Sequence, residues 1–115
     1  MDTEQTERVA RIAQIARLND DARQNMSCTV TATTGFRALS WGDQAKALQR
    51  VKAFKDFTAE NDPYGEHDFG VIDLPGDPVF WKIDYYDNDL QSGSEDPADP
   101  VKTRRVMTIM LASEY

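Results

Sequence analysis

Apolar residues recur at three- and four-residue steps in two parts of the chain and at two-residue steps in two others. Val9, Ile12, Ala13, Ile15 and Ala16 make one broad helical face and predict a helix over 5–24. Arg8, Arg11, Arg17, Asp21 and Arg23 fill the remainder, which reads as a solvated face. Thr3 or Thr6 is the expected cap, and Glu4 and Glu7 suit the positive end of the helix dipole. The second helical pattern covers 41–59. Ser40 and Asp43 have capping-box spacing, and Ala47, Leu48, Val51, Phe54 and Phe57 fall on one face. Lys46, Arg50, Lys52 and Lys55 lie elsewhere, and the helix is expected to stop before Asn61-Asp62-Pro63. The Phe54/Phe57 pair reads as core packing rather than ligand stacking.

The two-residue pattern is clearest at 79–86. Val79, Trp81, Ile83 and Tyr85 share one face, and Phe80, Lys82, Asp84 and Tyr86 share the other. Pro75-Gly76 joins this strand to one over 67–74, the preferred central pair of a type II turn. A last strand over 103–112 turns Arg105, Met107, Ile109 and Leu111 inward, and a β-branched run over 27–34 ends at Gly35. The elements predict a single α+β domain over 1–115. Two helices pack on one face of an antiparallel sheet of three to four strands, a two-layer sandwich of order αβαβββ. The polar loop 87–101 is expected to be exposed from Asp89 to Asp99 and more mobile than the strands.

Charge changes this picture more than composition does. At 115 residues and 40% apolar the chain suits one ordinary core, and no apolar run nears the roughly 18 residues of a membrane helix. The stretch Asp56–Asp99 holds thirteen carboxylates against Lys82 alone, a formal −12 with His67 neutral; the rest is +5, giving the −7 of the whole chain. Phosphates are repelled by such a surface, so direct nucleic-acid binding is not expected, whereas a basic partner is attracted. The acidic start Met1-Asp2-Thr3-Glu4 has no apolar signal core, and Cys28 is the only cysteine, which together fit a reducing cytoplasm. Without a base beside it in sequence, Cys28 reads as a small hydrophobe.

Metal chemistry fits poorly. Glu66, His67 and Asp68 offer three ligand types, but on a strand His67 would face away from the other two. Asp87-Asn88-Asp89 opens like a calcium loop, yet Ser92 stands at the glycine position and Ala98 at the bidentate glutamate position. No metal and no cofactor are expected. There is no phosphate loop, nucleophile elbow or dinucleotide fingerprint. An enzymatic alternative rests on Glu66, His67, Asp68 and Asp84, provided that one carboxylate is buried with a raised pKa.

Asn61–Gly70 (NDPYGEHDFG), Phe80–Asp87 (FWKIDYYD), Gly93–Pro100 (GSEDPADP) and Arg105–Ala112 resemble a small bacterial family of domain-of-unknown-function proteins common on plasmids and other mobile elements. The resemblance covers 12–115. It implies a setting, mobile DNA in a bacterial cytoplasm, and carries over no catalytic residue. The leading expectation is a non-enzymatic acidic binding protein, an anti-defence inhibitor that mimics nucleic acid toward a basic, DNA-handling host protein. Asp87, Asp89, Glu95, Asp96 and Asp99 are the expected contacts. A regulatory partner in plasmid maintenance is a further alternative. Oligomeric state is left open.

Overall fold

In the computed structural model, which describes residues 1–115, helix α1 spans Thr3–Asn25. Asp2 caps it, not Thr3 or Thr6. Its carboxylate accepts from Gln5 N while the Gln5 side chain accepts from Asp2 N, a reciprocal box that makes Thr3 the first helical residue. Strand β1 (Thr29–Ala32) follows, then a short helix α2 (Thr34–Arg37) and helix α3 (Trp41–Ala53). Ser40 caps α3 through Asp43 N. Strands β2 (Phe69–Ile72), β3 (Val79–Tyr86) and β4 (Arg104–Leu111) complete the fold, and a last turn, Ala112–Glu114, closes it.

The fold is α+β, but its sheet is mixed. The strand order is β1-β4-β3-β2; β2–β3 and β3–β4 are antiparallel, whereas β1 runs parallel to β4. The β2–β3 turn is a hairpin with Gly76 at φ 95°, the conformation that position i+2 of a type II turn requires. No hairpin constrains β1. Helices α2 and α3 and two strands separate it from β4, so its direction is set by docking at the edge.

One face of the sheet makes the core. Val79, Trp81 and Ile83 of β3 and Met107 and Ile109 of β4 are buried there with Ile72, against Ala47 and Val51 of α3 and Phe36 of α2. Gly70 of β2 faces Trp81, and a Cβ at Gly70 would stand 2.3 Å from the indole Nε1. The opposite face carries no helix, and Phe69, Phe80 and Tyr115 pack edge to face on it.

Helix α3 ends at Ala53, six residues before the expected boundary. Arg23 explains the early stop. Its Nε donates to the Val51 carbonyl and its Nη2 to that of Phe54, capping α3 from outside and freeing the chain to turn. Phe54 and Phe57 then pack edge-on against Trp81, as core packing requires. Arg23 itself is 1% exposed, not solvated, with its guanidinium over the Trp81 and Phe57 rings. The face of α1 that docks is Ile15, Ala16, Asn19, Ala22 and Arg23, while Val9 is exposed because the first turns of α1 run beyond the sheet.

Candidate binding surface and the polar network behind it

Between Phe57 and β2 the chain turns through Asp62-Pro63-Tyr64-Gly65, with Gly65 at φ 71°. His67 is also left-handed, at φ 57°, an uncommon state for a residue with a Cβ. The strain is offset locally. The Asp62 carboxylate accepts from His67 N, the imidazole stacks on Phe57 at 3.9 Å between ring centres, and Nδ1 lies 3.0 Å from both Asp20 oxygens. This kink delays β2 to Phe69 and turns His67 onto α1, where an unbroken strand over 67–74 would not place it.

Glu66 heads a second network. Tyr85 OH donates to Glu66 Oε1 at 2.7 Å; Asn19 Nδ2 donates to Tyr85 OH and to the Glu66 carbonyl; Arg105 Nε donates to Asn19 Oδ1 at 2.7 Å. Burial, then the Glu66 carboxylate, pushes the Tyr85 phenol far above its ordinary value, so it remains a donor. Asp68 is raised by burial and, next, by the Glu66 carboxylate. Asp84 stands on the other sheet face, paired with Lys82 at 2.8 Å. Glu66, His67, Asp68 and Asp84 do not meet at one point, although Asp68 lies within reach of the Glu66 and Asp84 carboxylates, both of which raise its pKa. Glu66 is tied to Tyr85, His67 to Asp20 and Asp84 to Lys82.

Of the five acids expected to contact a partner, three come together. Asp87, Asp89 and Glu95 border one depression of about 350 Å³, with Lys102 as its cation. Lys102 reaches Glu95 at 3.4 Å. Asp96 and Asp99 lie off that depression: Asp96 accepts from Arg11 of α1 and from Ala98 N, and Asp99 from Val101 N, while Asp87 also holds its own turn by accepting from Gln91 N. The loop is also less free than its composition predicts. Residues 88–93 are exposed, but Ser94 N donates to the Tyr85 carbonyl, Thr103 Oγ1 donates to the Asp96 carbonyl, and Arg105 reaches the Pro97 carbonyl. Its half-buried part, Asp96 to Asp99, is docked by these bonds.

Asn19, Asp20, Arg23, Tyr85 and Arg105 were not legible as a network. One signal was present. An arginine in register with Met107, Ile109 and Leu111 must find polar partners inside.

Ten of the thirteen carboxylates in Asp56–Asp99 have no lysine or arginine within 4.0 Å; the paired ones are Asp84, Glu95 and Asp96, and Asp62 meets only the His67 imidazole. No helix is long and apolar enough to cross a membrane. A family model described as "Protein of unknown function (DUF3768)" matches residues 32–114. No curated protein and no solved structure matches the chain.

Proposed function

Since the chain belongs to the family of proteins of unknown function DUF3768, whose name carries no activity, we propose from its own surface that it is a non-enzymatic protein that binds a basic partner through its acidic segment. The partner class that fits is a nucleic-acid-handling protein, and the setting that the sequence motifs imply is a bacterial mobile element. In that setting the specific form is an anti-defence inhibitor that mimics nucleic acid. The observation that carries this reading is the excess of unpaired carboxylates, with Asp87 and Asp89 gathered on one exposed depression beside Glu95, whose only cation is Lys102 on the same rim. Unpaired like charges repel one another, and a cationic partner relieves that repulsion and is steered by it.

The test is capture of partners from the native host, run in parallel with the parent protein and with Asp87→Asn/Asp89→Asn/Glu95→Gln. A basic nucleic-acid-handling protein held by the parent and released by the variant supports the reading. Equal capture by both removes the acidic depression from it, and attention then moves to Glu66, His67 and Asp68.

A further inference from the structure

Arg105 is a buried cation without an anion. Its residue is 9% exposed, and its guanidinium lies 5.1 Å from the Tyr85 ring centre. Nε and Nη2 donate to neutral acceptors, Asn19 Oδ1 and the Pro97 carbonyl. No carboxylate comes within 4.0 Å of it, although the chain carries twenty acids. Glu66 acts on it only across Asn19 and Tyr85. Nη1 makes no bond to protein and is not sealed from solvent. Burial lowers the Arg105 pKa, but a guanidinium stays protonated in a protein, so the charge must be met rather than discharged.

Arg105 lines a groove of about 450 Å³ where the C-terminal end of α1 passes the starts of β1 and β4. Exposed Arg104 is a second cation there, and Ser27 and Thr29 bring hydroxyl groups. Cys28 adds a thiol that burial holds in its neutral form, so it places no competing anion in the groove. The one carboxylate on the wall, Asp21, is engaged by the Asn25 amide at 2.7 Å. Such a lining suits a small ligand head with two or more oxygens sharing negative charge, the group that an arginine fork receives best.

We propose that this groove binds a small oxyanion, the carboxylate or phosphate group of a low-molecular-weight ligand, with Arg105 as the anchoring cation and Arg104 at the rim. The site is independent of the acidic depression bordered by Asp87, Asp89 and Glu95. It takes a ligand of the opposite sign from the partner proposed there.

The experiment titrates the 115-residue protein with sodium phosphate and, separately, with sodium succinate, at ionic strength held constant with sodium chloride. Backbone amide shifts are followed by NMR. Saturable shifts centred on Ser27–Thr29 and Thr103–Arg105 are expected. Saturation by phosphate alone assigns a phosphate ligand, by succinate alone a carboxylate, and by both an oxyanion site that accepts either. Arg104→Gln, at an exposed position, should keep the fold and weaken binding about tenfold, the worth of one charge-assisted hydrogen bond. Alkylation of Cys28 by iodoacetamide should slow as the saturating anion is added. Shifts that never saturate with either anion, or that saturate equally in Arg104→Gln and leave Cys28 alkylation unchanged, overturn the proposal.

Discussion

Asn19 in α1 holds Arg105 in β4 across 86 positions of sequence, with Nε 2.7 Å from Oδ1. The same amide group donates to Tyr85 OH and to the Glu66 carbonyl, so one fully buried side chain satisfies partners from two strands and a turn. Replacing it by leucine keeps the volume but leaves a guanidinium, a phenol and a carbonyl each short of a bond. Asn19→Leu is expected to cost about 3 kcal/mol or more, since each buried unsatisfied group costs about 1–3 kcal/mol. Urea unfolding measures it. A loss below about 1 kcal/mol would mean that water replaces the amide without penalty.

Trp81 and Gly70 form a second close pair. A methyl group at Gly70 would sit 2.3 Å from Nε1, 2.6 Å from Cε2 and 2.8 Å from Cζ2 of a fully buried indole. A rigid ring packed by Phe54 and Phe57 has nowhere to retreat. Gly70→Ala should destabilise by about 2–3 kcal/mol through overpacking, and Trp81→Ala by about 3–5 kcal/mol through the cavity it leaves. In a Trp81→Phe background the glycine substitution should cost clearly less, because the clashing atoms are gone. Additive costs in the double-mutant cycle would place the methyl elsewhere.

These pairs show what the sequence pattern carries and what it does not. Alternation at 79–86 and 105–111 placed Trp81, Ile83, Met107 and Ile109 inside because a strand's period is fixed by its backbone. Helical periodicity in α1 misplaced Val9 inward and overlooked Asn19 and Arg23. It weighs each residue by its own apolarity, whereas burial of a polar side chain is decided by partners such as Tyr85, Val51 and Phe54, far away in sequence. The parallel edge strand was hidden for a similar reason. Four residues, Thr29–Ala32, dock on β4 without a turn to fix their direction. The left-handed backbone of His67 has no local sign, since it rests on Asp20, Asp62 and Phe57.

Stability should depend on pH through Asp68. Its folded-state pKa is raised, chiefly by burial and then by Glu66, so the folded protein holds this proton more tightly than the unfolded chain does. Protonated Asp68 therefore favours folding below the ordinary carboxylate range. That contribution is lost as pH rises through the raised folded value. At pH 7 the ionised group is a net cost. Asp68→Asn is expected to raise Tm at pH 7, with the gain shrinking as pH falls through the raised folded value and gone below about 4, where the parent is protonated in both states. An equal Tm difference at both pH values would contradict the assignment.

The acidic depression tests the central claim most directly. Asp87→Asn/Asp89→Asn/Glu95→Gln removes three charges at nearly constant shape and spares the turn bonds of Asp96 and Asp99. Its measurement is the association rate with the captured partner, for parent and variant, at about 50 and about 300 mM salt, which brackets a Debye length of ~8 Å near physiological ionic strength. An electrostatic docking surface predicts that the parent associates faster at low salt, slows steeply as salt rises, and converges there on the variant. Equal rates for parent and variant at low salt would contradict it.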